Sequence, residues 1–229
     1  MLVGAGNTRH RLVQAVLLVT VLAGCSEATD DAAKVKPAES APASAEGNAA
    51  ESGGTIGADG SACELPVTFD IAEKWTAEAV DTGSGGDPSG GTDGEPADEL
   101  ADLADAVLRQ GPVTLACEVD AKPAGHIGYL RIWTGAPGDA DARTVLEAFV
   151  ADDKAASKPQ YSTFKAGGLM GVEVEYVYTS EFLDEPKTER ALAVTTPRGP
   201  VVVHLGGLDT EEHKAMLPAY ELAQRTLKS

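Results

Sequence analysis

Between Val113 and Leu227 the spacing of apolar residues switches between two and about 3.6 in a fixed order, and that order leaves few folds open. VTLACEVD and HIGYLRIW alternate as strands, separated by the turn AKPAG. In the second, Ile127, Tyr129, Arg131 and Trp133 face one way and Gly128, Leu130 and Ile132 the other. DADARTVLEAFVADDKAA then places Val145, Leu146, Phe149 and Val150 at helical spacing. Four more strand candidates follow, QYSTFKAG, LMGVEVEYVYTS, TERALAVTT and PVVVHLGG, joined by short turns such as Pro197-Arg198-Gly199. A last helix opens on Asp209-x-x-Glu212, the form of a capping box. Pro218 inside it predicts a kink or a later true start. Runs of antiparallel strands with helices set among them predict an α+β domain, mostly antiparallel sheet covered by helices, with the terminal helix docked on one face.

The preceding residues divide by composition. CELPVTFDI reads as a first strand and TAEAV as a second. The acidic, Gly-rich stretch DTGSGGDPSGGTDGEP reads as a flexible surface insertion over residues 81–97. ADELADLADAVLRQ reads as a helix, with Leu100, Leu103, Val107 and Leu108 on one face and Gly111 at its C-cap. Ser26–Gly60 holds seven acids, two lysines and almost no large apolar residue. It cannot bury enough surface to offset its ordering entropy, so residues 25–60 are expected to be a disordered tether. As a flexible coil it would hold a domain of residues 61–229 roughly 30–35 Å from its attachment point.

That attachment is written at the N-terminus. Arg9, His10 and Arg11 precede the apolar run LVQAVLLVTVL and the small pair Ala23-Gly24, the order of a secretory signal over residues 1–24. The run is too short to cross a bilayer, which takes about 20 apolar residues. Leu22-Ala23-Gly24-Cys25 resembles the lipobox of bacterial lipoproteins, which implies cleavage before a lipidated Cys25 and a protein held at the outer face of the plasma membrane. Of three cysteines, lipidation leaves Cys63 and Cys117. Outside the cytoplasm two leftover cysteines pair, and each lies in a strand-like stretch. The closed loop of about 54 residues is worth roughly 4 kcal/mol on the chain-entropy model. A metal-binding pair finds no support in a CxxC or a histidine at ligand spacing.

A first strand ending near a tryptophan (FDIAEKW), a strand leading into a helix (GYLRIWTG…ARTVLEAFV), then GLMGVEVEYVYTS, a hairpin, TPRGPVVVHLGG and a terminal helix resemble the PsbP-like fold. Within it the chain is similar to the LpqN-type secreted lipoproteins of high-GC Gram-positive bacteria. The resemblance spans roughly Cys63 to Leu227 without the Asp81–Arg109 insertion, and Ala72-Glu73-Lys74-Trp75 stands where the family carries Pro-x-Gly-Trp. It implies a non-enzymatic fold used for docking to partners or holding apolar envelope molecules, and it brings no catalytic residue across.

The residues themselves point the same way. There is no GxSxG for nucleophilic hydrolysis. His204 in VVVHLGG reads as a strand residue, His213 as part of the first turns of an exposed helix, and His126 as loop-placed after Pro123-Ala124-Gly125. Glu173 and Glu175 could serve glycan hydrolysis as a carboxylate pair, but read as the exposed face of a half-buried strand. No calcium-loop spacing occurs, and neither a metal nor a cofactor is implied. The net charge is −18, which repels phosphate and excludes nucleic acid. Binding remains, either of an envelope protein or of an apolar small molecule, with Lys122, His126 and Trp133 as candidate contacts; an envelope hydrolase with an unrecognised site is the alternative.

Overall fold

The computed structural model describes residues 49–80, 107–180 and 185–229. The expected signal peptide, Cys25, most of the expected tether and the acidic insertion lie outside them. Structure begins earlier than the composition implied. Ser52–Ile56 forms β1, which pairs antiparallel with β2 (Phe69–Ala72) in a small two-stranded sheet. Ile56, one of the few large apolar residues in that stretch, is 4% exposed and joins the core beside Phe69. The turn after it depends on Gly57, whose φ is +102° and where a side chain would collide with the Val67 carbonyl. Its backbone is bonded on both sides, to Cys63 and to Leu65.

The strand read over CELPVTFDI therefore forms in its last part alone. Cys63, Leu65 and Val67 are buried in an irregular run interrupted by Pro66, which has no N–H to give a ladder. β3 (Thr76–Ala79) follows. Arg109–Gln110 (β4) pairs with the start of β5 (Val113–Asp120), so Gly111 closes a strand turn rather than a helix. Residues 97–106 of the expected helix lie outside the described part.

β6 (Gly128–Thr134), β7 (Ala156–Ala166), β8 (Leu169–Thr179), β9 (Pro186–Thr196) and β10 (Gly199–Gly207) complete an eight-stranded antiparallel sheet in the order β3-β5-β6-β10-β9-β8-β7, with β4 alongside β5. Helix α1 (Ala142–Asp152) covers one face, its N-terminus capped by Asp141, whose carboxylate accepts from the Thr144 N–H at 2.7 Å. Its Val145, Leu146 and Phe149 pack with Trp133, Val174 and Val202. Helix α2 (Thr210–Thr226) covers the opposite face with β1 and β2, packing Met216, Tyr220 and Ala223 with Leu130, Ile132 and Val203. β5 serves both faces through a bulge between Leu115 and Cys117: Val113 and Leu115 point toward α1, Cys117 and Val119 toward α2.

Asp209 caps α2 as the sequence indicated, accepting from the Glu212 N–H at 2.8 Å. The helix starts there and runs through Pro218. The disulfide Cys63–Cys117 is present, with Cα atoms 6.0 Å apart and both residues buried. It ties the irregular run after β1 to β5, not one strand to its neighbour.

Candidate functional site

The AKPAGH turn is built by its backbone. Lys122–Ala124 make one 3₁₀ turn with Pro123 inside it, and Gly125 closes it at φ +92°. Ala121 accepts from the Ala124 and His126 N–H groups, and the Asp120 carboxylate accepts from the Lys122 N–H at 2.9 Å. Lys122 and His126 thus come to one rigid corner between β5 and β6. His126 Nδ1 lies 2.7 Å from Glu212 Oε1, which fixes the corner to the first turn of α2.

Two open clefts flank this corner. One, of about 220 Å³, is bordered by His126, Trp75, Glu51, Glu73, Met216 and Pro218. The other, of about 320 Å³, is bordered by Lys122, Glu118, Asp120, Ile127, Tyr129 and Leu208. Ile127 and Leu208 are 54% and 56% exposed, and the Leu208 N–H donates to the Ile127 carbonyl. Arg131 covers the Tyr129 ring and pairs with Glu118 at 2.7 Å. Trp133 lies apart from the corner. It is 5% exposed and meets Phe149 edge to face at 4.9 Å, beneath α1.

A second polar group went unnoticed in the sequence. Glu189 on β9 and His204 on β10 meet beneath α1, with Glu189 Oε2 at 2.9 Å from His204 Nε2. The Tyr176 hydroxyl donates to Glu189 and lies 3.1 Å from His204 Nε2. Lys187 pairs with the other carboxylate oxygen at 2.7 Å and donates to the Gly207 carbonyl. Burial would raise the Glu189 pKa, but His204 and Lys187 outweigh it and hold the carboxyl at about 2. Tyr176 is pushed well above the phenol range, by burial first and then by Glu189. His204 is packed among the rings of Trp133, Phe149 and Tyr176. Held on every side by Glu189, Tyr176 and the surrounding rings, the group resembles a packed hydrogen-bond network more than a nucleophile and its base.

His213 also differs from its reading as part of an exposed helix. It is 1% exposed, and neither ring nitrogen has a hydrogen-bond partner. Burial, then the nearby Arg190, bring its pKa down to about 4. Glu173 and Glu175 share one face as read, and both are held by Arg190, at 3.8 and 2.6 Å. Among the described residues no group of three or more His, Cys, Asp or Glu side chains is placed to hold a metal, and no helix is long and apolar enough to cross a membrane.

The sequence model of a family described as "Uncharacterised lipoprotein" matches residues 33–227. The chain belongs to this lipoprotein family. Among solved structures it is similar to the cyanobacterial PsbP (CyanoP) of Synechocystis sp. PCC 6803, at 12% identity and a TM-score of 0.44, with 76% of this chain and 96% of that chain covered. No curated protein matches the lipoprotein by sequence.

Proposed function

We propose that this lipoprotein is a non-enzymatic binding module, anchored through lipidated Cys25 at the outer face of the plasma membrane, that docks a protein partner at the corner formed by Lys122–Tyr129 and Leu208. The observation that carries the reading is the exposed pair Ile127 and Leu208. Two large apolar side chains side by side at one corner mark a contact surface more than they serve the fold. Glu118 and Asp120 rim them within a strongly acidic chain, so the partner that fits presents an apolar prominence flanked by lysines or arginines. An apolar small molecule is served less well. Around the corner both faces of the sheet are covered by helix and hairpin, and the clefts there are open and partly polar.

The test is photo-crosslinking from position 122, on the same cleft, in the native, membrane-anchored protein, combined with Ile127→Asp and Leu208→Asp. Both variants should keep the fold and lose the cross-linked partner. Met170→Asp, at an equally exposed apolar residue elsewhere, should keep it. Retention of the partner by both corner variants sinks the reading. So would turnover of an ester, peptide or glycan substrate that a folded His204→Gln variant abolishes, because the Glu189–His204–Tyr176 group would then be an active site.

A further inference from the structure

The eight-stranded sheet is wider than α2, and beyond the helix its α2-side face continues as a polar shelf over β7, β8 and β9. Two adjoining hollows of about 440 and 250 Å³ lie there and share Glu173 and Arg190. Arg190 donates twice to Glu175 Oε2, at 3.0 and 2.6 Å, so the floor is a fixed fork of donors and acceptors. Gln224 and Arg225 of α2 form the wall, and the Gln224 Nε2 is buried without a hydrogen-bond partner. At one end Phe164 borders the larger hollow. Its ring lies over Gly171, where any side chain would collide with it.

Three observations together choose the ligand class. Lys165, Arg190 and Arg225 balance Glu173, Glu175 and Glu221, so the groove lining carries no net charge with which to select a polyanion or a polycation. Its planar carboxylate, guanidinium and amide groups supply acceptors and donors in alternation, which suits a ligand bearing hydroxyls that do both. Phe164 supplies an aromatic surface for an apolar face of the same ligand. An apolar chain would desolvate the Arg190–Glu173–Glu175 pairs and leave Gln224 Nε2 still without a partner. We propose that this groove binds a neutral oligosaccharide, with its hydroxyls on Glu173, Arg190 and Gln224 and one sugar ring against Phe164. The site is separate from the docking corner, so either can fail without the other.

The full chain in detergent micelles is titrated by calorimetry with maltohexaose and cellohexaose, and with a hyaluronan hexasaccharide as the anionic control. A neutral hexasaccharide should bind, and Gln224→Ala and Phe164→Ala should each weaken it by about tenfold, the effect of one lost hydrogen bond or ring contact. Arg225→Ala, on the exposed side of α2, serves as a groove variant that keeps the core if Phe164→Ala unfolds. Ile127→Asp should bind as the parent does. No binding of either neutral sugar at about 10 mM, well above millimolar affinity, overturns the proposal. Binding of hyaluronan alone, or neutral-sugar binding untouched by the groove variants, overturns it equally.

Discussion

His213 is buried beneath the first turn of α2 with two ring nitrogens that bond to nothing. Arg190, Glu189, His204 and Glu175 are the charged and titratable groups whose fields it feels. Its folded pKa of about 4 is below the ordinary 6.5, so the unfolded chain binds a proton that the folded chain refuses. Stability is therefore full above about pH 6.5 and falls as the pH drops toward 4, by up to about 3 kcal/mol in all. Glu189 adds a lower window: with a folded pKa of about 2 against 4.5, its contribution is present above pH 4.5 and lost on acidification toward 2. Asp153, raised by burial, acts in the opposite sense and offsets part of that loss. Urea melts at pH 7.5, 6, 5 and 4 should show the decline, and His213→Leu should flatten it between 6.5 and 4. An unchanged slope in that variant would remove His213 as the cause. His204→Ala should cost about 3–5 kcal/mol, because it empties a site packed among Trp133 and Phe149 and takes a hydrogen-bond partner from the buried Glu189 carboxylate. The polar neighbours in EEHK concealed the burial of His213. The signal lay in its spacing, since His213, Met216, Tyr220 and Ala223 fall on one helical stripe.

Among the elements, the strands from β5 to β10 were legible because period-two patterns and short turns are local properties. β1 was not. SGGTI has little to bury, and its pairing with FDIA is visible only when the two segments are brought together in space. Ile56→Ala should cost about 2–5 kcal/mol if β1 belongs to the core, against nearly nothing if it were tether. Chemical denaturation of that single variant decides between them. The bulge in β5 escaped the sequence for a related reason: VTLACEVD alternates without a break, yet its two halves face different layers. Pro218 was expected to disturb α2, and the helix passes through it. Its missing N–H leaves the Lys214 carbonyl without a helical donor, so Pro218→Ala should stabilise by about 1–3 kcal/mol, read as a shift in the urea midpoint without a change in slope. A lower midpoint would show that the ring's packing against the cleft matters more than the lost bond.

At the scale of the molecule, placement was more legible than partnership. A basic start, a short apolar run and LAGC form a local code, and the family match to lipoproteins agrees with it. Membrane fractionation should find the parent chain sedimenting with membranes and Cys25→Ala released, with the intact mass of the mature parent beginning at a diacylated Cys25. Retention of the alanine variant would refute the anchor. The corner at Lys122 and His126 was legible because a Pro-Ala-Gly turn has no apolar reason for its composition. Trp133 belonged to the core because its strand parity, set by Leu130 and Ile132 on the other face, turns it under α1.

A domain held by its N-terminus meets mechanical load first at β1. Pulling on Ser52 would peel the β1–β2 pairing from its open end, since Ser52 lies opposite Ala72 and the ladder runs inward to Ile56 and Phe69. Peeling can release the chain as far as Cys63, roughly 35–40 Å when extended. There the Cys63–Cys117 bond passes the force sideways into β5, which is laced on both edges to β3, β4 and β6. The covalent clip would thus work as a stop on a short fuse of strand: a pull on the N-terminus would unfasten β1 and leave the sheet, with both candidate binding surfaces, in place.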